Sequence, residues 1–363
     1  MVKMQQVRTT VSTYFANRPV VAVFIGGTQG IGHFSAAALA KQYATQQTAN
    51  TSTAPLLRIY IVGRSATKAN TVLSDLTKAH SNGQYRFVQA ADLTSIVDVD
   101  TISKEIIRIE NEEHGQDNPR IDLLVQTQGQ VLFGPRNETT EGLDRSMSLL
   151  YYSRIRFVLN LLPLLQASAQ PHVVSVYAAG MEATLHRTDL SLRDPAHYSF
   201  ANCRSHCVYT KTMAFEHLAE RYPGISFGHI YPGLVIGPGF RDESLPLWFR
   251  AVWRVCGPVV AMVYATDPEE AGMRMLVVGT DAFPGRKVGG EKTAGRSGGV
   301  SRSVPKGTDG VVGSGAYSVG RLDDVNKYNG VYDGLRKDGF REEVWTHTMK
   351  AFDTIVEGQK FMD

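Results

Sequence analysis

The run Val20-Val21-Ala22-Val23-Phe24-Ile25 passes without a break into Gly26-Gly27-Thr28-Gln29-Gly30-Ile31-Gly32. An apolar run rich in valine reads as a buried strand, and Phe34–Lys41 beyond the glycines reads as a helix. Strand, glycine turn and helix in that order form the context that a dinucleotide fingerprint requires. Gly26 permits the tight turn, Gly30 lets backbone approach a pyrophosphate, and Gly32 lets the helix pack close to the strand. Free N–H groups at the helix start, with the positive end of its dipole, then face phosphate. Thr28, Gln29 and Ile31 belong to the same turn and join the candidate cofactor-binding set.

Outward from this unit, apolar β-rich runs alternate with helical patterns over most of the first 280 residues. The strands expected are Val20–Ile25, Arg58–Val62, Tyr85–Gln89, Asp122–Gln126, His172–Val176 and Ser226–Tyr231; the helices are Ile31–Tyr43, Thr67–Ala79, Val97–Glu113, Gly142–Gln166 and Phe200–Arg221. Such alternation predicts an α/β fold, a Rossmann-type doubly wound parallel sheet with helices on both faces, in a single domain with a C-terminal extension. Residues 1–19 are read as an N-terminal extension with a short helix over Val11–Asn17 beside the first strand. Residues 20–283 form the dinucleotide-binding domain, with a lid around 238–265. Thr-, Gln- and Ser-rich Ala44–Pro55 reads as a surface loop. Pro284–Arg321, dense in Gly, Ser and Lys, reads as a long irregular excursion, and 322–363 as a C-terminal helical segment.

At 363 residues and 43% hydrophobic, the chain can bury a large core. A formal charge of +3 gives no case for nucleic acid as a partner. Three cysteines, Cys203, Cys207 and Cys256, suit a reducing compartment. The polar N-terminus has no apolar core of a secretory signal, so a cytoplasmic location is expected. Arg250, Arg254 and Pro258 interrupt Leu245–Tyr264, which argues against an integral membrane segment.

With these strands placed, residues 20–280 resemble the short-chain dehydrogenase/reductases, a Rossmann-fold family that uses NAD or NADP. Gly26-x-x-x-Gly30-x-Gly32 matches the family's glycine motif, and the second strand ends in Gly63-Arg64-Ser65. Arg64 can pair bidentately with a ribose 2′-phosphate where NAD enzymes usually carry an acid, so NADP(H) is the cofactor expected. Asp92-Leu93-Thr94 follows the third strand, where the family sets an aspartate near the adenine; a helix N-cap is the other reading of Asp92. Gln126-Thr127-Gln128-Gly129 stands where the family has an Asn-Asn-Ala-Gly-like turn. Tyr231-Pro232-Gly233-Leu234-Val235 resembles the turn over the nicotinamide.

The resemblance implies a catalytic set of Tyr-x-x-x-Lys on one helix, a serine after the fifth strand and an asparagine in the preceding helix. The tyrosine gives a proton to the carbonyl oxygen, the lysine lowers its pKa, and the serine orients the carbonyl. Here the asparagine position falls on Leu150 and the serine position on Tyr177, with Ser175 two residues earlier. Two registers compete for the pair. Tyr198-Ser199-Phe200-Ala201-Asn202 keeps the tyrosine and replaces lysine by Asn202; Cys207-Val208-Tyr209-Thr210-Lys211 keeps the lysine and replaces tyrosine by Cys207. Tyr198 is favoured because it leaves a helix of normal length ending near Arg221. His197 and His206 are further proton sources.

Cys203, His206 and Cys207 share a helix face, but three ligands without a fourth are poor support for zinc, so no metal is expected. Leu247, Trp248, Phe249, Val252 and Trp253 suit either a lid over a bulky apolar substrate or a helix covering the sheet edge. The reading is an NADPH-dependent reductase of a ketone or aldehyde in a bulky apolar small molecule. A non-redox isomerase, dehydratase or cyclase retaining NADP is the alternative, and a silent nucleotide-binding regulator the third. The stretches Glu141-Gly142-Leu143-Asp144 and Tyr151-Tyr152-Ser153-Arg154 resemble divergent fungal members of the family, implying a specialised-metabolite pathway. The family also implies a homodimer through Gly142–Gln166 and Phe200–Arg221.

Overall fold

The structure, a computed structural model, describes residues 2–47, 55–130, 134–237, 245, 247–286 and 303–363. The chain opens with α1 (Met4–Phe15), β1 (Val20–Ile25), α2 (Gly30–Gln47), β2 (Leu57–Gly63), α3 (Ala66–Ala79), β3 (Gln84–Gln89), α4 (Ile96–His114) and β4 (Leu123–Gln126). A single turn α5 (Arg145–Met147) leads through a π-helical turn, Ser148–Tyr152, into α6 (Ser153–Gln166). Then follow β5 (His172–Val176), α7 (Phe200–Arg221), β6 (Ser226–Ile230), α8 (Leu247–Tyr264), α9 (Pro268–Val278), β7 (Ala316–Val319), α10 (Val331–Lys337) and α11 (Phe340–Val356). The strands pair in parallel in the order β3-β2-β1-β4-β5-β6-β7.

Strand alternation distributes side chains between two cores. Val21, Val23 and Ile25 of β1 enter one with α4, α6, α7 and α11, while Val20, Ala22 and Phe24 enter the other with α1, α2 and α9. Every residue of β1 is buried, as a parallel strand covered on both faces requires. The strand order reverses between β1 and β4, and a crevice opens outside the carboxyl ends of strands at such a switch point.

Several expectations need correction. The excursion Pro284–Arg321 contains β7, which adds an edge strand to β6, with Phe227 paired to Ala316 and Ile230 to Val319. Its glycines mask a strand only four residues long. The expected loop at Ala44–Pro55 begins as α2, which runs to Gln47, and residues 48–54 lie outside the described residues. The N-terminal helix starts at Met4 and ends before Asn17; Val7, Val11 and Phe15 are core residues. The expected helix Gly142–Gln166 is broken by the π turn. Finally, 322–363 is part of the main core, since Phe340, Val344, Phe352 and Ile355 of α11 pack into it.

That last packing also bears on the expected homodimer. α11 lies against α4 and α7, the Tyr151 hydroxyl meets Thr348 Oγ1 at 2.7 Å, and the Arg156 guanidinium sits 5.3 Å from the Phe352 ring centre. Surface on the two helices expected to receive a second copy is thus taken by the chain's own C-terminal helix. Among the described residues, no helix is long and apolar enough to cross a membrane.

Candidate functional site

The glycine loop turns as its sequence requires. Gly26 (φ +79°) and Gly30 (φ +58°) adopt left-handed backbone, and a Cβ on Gly26 would stand 2.6 Å from the Gln128 backbone nitrogen. A Cβ on Gly32 would lie 2.9 Å from the Gly26 carbonyl oxygen, so this glycine sets the approach of α2 to the turn. At Gly30 no described residue lies within 4 Å of the Cβ position, which leaves bare backbone facing a cleft at the first turn of α2. That cleft, of about 380 Å³, runs across the ends of β1, β2, β4 and β5.

All of the expected cofactor-binding residues line this cleft except Gly32, Ser65 and Gly233. Ser65 caps α3, accepting from the Lys68 backbone N–H at 3.3 Å. Gly233 (φ +76°) shapes the turn after β6 against Thr266. Arg64 is exposed at the cleft and makes no ion pair with a described residue. Lys68, which the sequence reading passed over, donates from Nζ to Gln29 Oε1 at 2.8 Å and puts a second cation beside the glycine loop. Asp92 is not the cap of α4; Ser95 is, accepting from the Asp98 N–H at 3.2 Å. Burial pushes the Asp92 carboxyl up, but hydrogen bonds from the Thr94 N–H and hydroxyl and from Arg145 outweigh it and hold it below the usual range.

The structure does not bring Tyr198 and Asn202, the pair the sequence favours, to the other end of the cleft. Tyr198 precedes α7, whose cap is Ser199, and its hydroxyl donates to Asp144 Oδ2 at 3.0 Å, away from the cleft. Burial, then the Asp144 charge, pushes this phenol up. Asn202 donates to the His197 carbonyl at 2.7 Å and does not reach the cleft. The helix-length argument failed because α7 runs ten residues past Lys211. Lys211 is fully buried, with Nζ 5.5 Å from the Tyr177 ring centre and no hydrogen-bond partner among the described residues. Cys207 is buried on the turn before it. Tyr177 lines the cleft, and its hydroxyl has no partner among the described residues. Leu149 and Leu150, from the π turn, form an apolar wall of the cleft.

No family model matches the chain. It is 39% identical over 363 residues to the short-chain dehydrogenase/reductase SAT2 of Stachybotrys chartarum, a match covering 98% of each chain. The chain belongs to the short-chain dehydrogenase/reductase family. It is also 32% identical to an oxidoreductase of Emericella nidulans, over 98% of this chain and 99% of that one. With the NmrA-like family domain-containing oxidoreductase notO of an Aspergillus species it shares 34% identity over 93% and 91%. Among solved structures, the NADP active-site complex of Pseudomonas aeruginosa RhlG superposes with a TM-score of 0.52 at 18% identity, over 74% of this chain and 92% of that one, a likeness of fold.

The floor of the cleft is built around an arginine. Arg154 of α6 is buried, yet it lines the cleft. Its Nη1 donates to Ser175 Oγ at 2.9 Å and to the Val176 carbonyl at 2.8 Å, Nε donates to the Leu149 carbonyl at 3.3 Å, and Nη2 donates to the Gln128 carbonyl. Ser175 is therefore engaged beneath the cleft and does not line it. Sequence reasoning missed Arg154; the only signal was an arginine at the head of an apolar helix.

Neither histidine considered as a proton source lines the cleft. His197 Nδ1 lies 2.9 Å from Asp189, and its ring stacks on His186. His206 Nε2 accepts the His186 backbone N–H at 2.9 Å, a bond only the neutral ring can make, and burial pushes its pKa down to about 4. The unfolded chain takes up this proton near pH 6.5 and the folded chain only near 4. Stability is therefore expected to fall as pH drops through that window, by up to about 1 kcal/mol per pH unit, and to level off below it. Urea unfolding midpoints of wild type and His206→Gln across this range check the expectation; the variant should show the shallower slope.

Proposed function

We propose that this chain is an NADPH-dependent reductase of a ketone or aldehyde carbonyl in a bulky apolar small molecule. The observation that carries the reading is a phenol, Tyr177, without a hydroxyl partner among the described residues, in the same cleft as the glycine loop and Arg64, which makes no ion pair with a described residue. The residues present suit the cofactor. Open space at Gly30 and the N-terminus of α2 fit a pyrophosphate, Arg64 fits a 2′-phosphate, and Pro232 and Val235, which line the cleft, would hold the nicotinamide. The reduced nicotinamide supplies hydride when bound.

Tyr177 then holds the proton for the carbonyl oxygen, while Leu149, Leu150, Leu245 and Phe249 exclude water from the reacting end and favour an apolar substrate. Fungal oxidoreductases among the relatives support a role in specialised metabolism. One observation favours the non-redox alternative: the lysine that remains, Lys211, has a cysteine and not a tyrosine four residues before it.

Fluorescence titration with NADPH and NADH tests the proposal. Wild type is expected to prefer NADPH, and Arg64→Ala to weaken NADPH about ten- to a hundredfold with NADH little changed, as the loss of a charge-assisted bidentate pair predicts. Binding of neither nucleotide would overturn the redox reading and leave the non-redox one.

A further inference from the structure

We propose that Arg154 takes over the task the family gives to its lysine: its buried guanidinium, fixed beneath the cleft next to Tyr177, promotes proton donation by that phenol. The inference rests on the reductase reading and says how this site can work without a Tyr-x-x-x-Lys pair. Four hydrogen bonds, to Gln128, Leu149, Ser175 and Val176, hold the guanidinium in one place, and Val176 is the residue before Tyr177. All four acceptors are neutral, so the positive charge has no carboxylate among its described hydrogen-bond partners.

Other groups face the same phenol. From α7 come Cys203, Arg204, Cys207 and Lys211, and His229 of β6 lies where Lys211 and Arg154 both act on it. Burial, with Arg154 next to it, pushes Lys211 well below its ordinary value, which favours an uncharged amine. Arg154 is also held down by burial, to about 10, and so stays charged at neutral pH. Of the two buried cations, only the arginine is positioned as a permanent one. Burial raises the Tyr177 phenol and the two cysteines add to that, while Arg154 and then Arg204 oppose it.

With NADPH bound, the cofactor would supply hydride to the carbonyl carbon and become NADP⁺, and the carbonyl oxygen would take the phenolic proton of Tyr177. The tyrosinate left behind is stabilised by Arg154 until solvent returns the proton. Arg154 acts through Tyr177 and is a positioning residue.

The test needs no natural substrate. The full-length protein, saturated with NADP⁺, is titrated with 4-nitrophenol, whose visible absorbance reports whether its oxygen is ionised. Wild type should lower the ionisation midpoint of the bound probe by about one pH unit relative to free probe, as a nearby donor and cation do. Arg154→Met should remove that shift, Arg154→Lys should keep most of it, and Lys211→Met should leave it in place. In a Tyr177→Phe background, Arg154→Met should add little, since the effect runs through the phenol.

NADPH fluorescence on each variant reports an intact cleft. If Arg154→Met has lost it, Arg154→Lys and Lys211→Met decide. A shift lost in Lys211→Met, an unshifted probe in wild type, or an Arg154 effect that persists undiminished without Tyr177 would overturn the proposal. Failure of wild type to bind NADPH would instead overturn the reductase reading itself.

Discussion

Tyr177→Phe is expected to lower the turnover of a carbonyl substrate by about 10²- to 10⁴-fold, the usual contribution of a positioned proton donor. NADPH affinity should stay within about twofold, because the phenol oxygen makes no hydrogen bond with a described residue. Tyr198→Phe should behave differently. Its hydroxyl binds Asp144, the cap of α5, so the loss should appear as about 1–3 kcal/mol of stability with turnover changed little. Steady-state NADPH oxidation, run with thermal melts on both variants, separates the two. Inactivation by Tyr198→Phe with an active Tyr177→Phe would favour the Tyr198 register and refute the assignment of the donor to Tyr177, just after β5.

The contrast between these tyrosines shows what local pattern can and cannot specify. β1, the glycine turn and α2 were legible because every feature that fixes them lies within a few residues: an apolar run, left-handed glycines, then a helix start. The choice between Tyr198 and the Cys207–Lys211 register depends on where α7 begins. That is settled by the Ser199 cap and by a contact from Tyr198 to Asp144, more than fifty residues away in sequence. β7 was illegible for another reason: four residues amid Gly and Ser give too short a run for alternation to show. Arg154 could not be identified because its partners come from the turns after β4 and before α6 and from β5 itself, and three of the four are backbone carbonyls that no side-chain motif records.

Glu110→Ala is expected to destabilise the fold by about 3–5 kcal/mol, the cost of leaving a buried charge without its partner. Arg58 of β2 and Glu110 of α4 are both fully buried, with Arg58 Nη1 3.0 Å from each carboxylate oxygen. The Tyr60 hydroxyl donates to the same carboxylate at 2.6 Å, and Arg58 Nε donates to Gln84 of β3 at 2.9 Å. This group pins α4 to β2, the strand after which Arg64 enters the cleft. Replacing both charges at once, Arg58→Met with Glu110→Leu, should recover most of the loss, because well-packed apolar residues avoid the desolvation that the ion pair must offset. Urea unfolding measures both effects, and NADPH titration of the double variant should remain near wild type. If the single and double variants were equally unstable, packing volume rather than the loss of the carboxylate from Arg58 would be the cause. A double variant that was stable yet no longer discriminated NADPH from NADH would mean that the ion pair sets the position of Arg64 as well as holding α4 to the sheet.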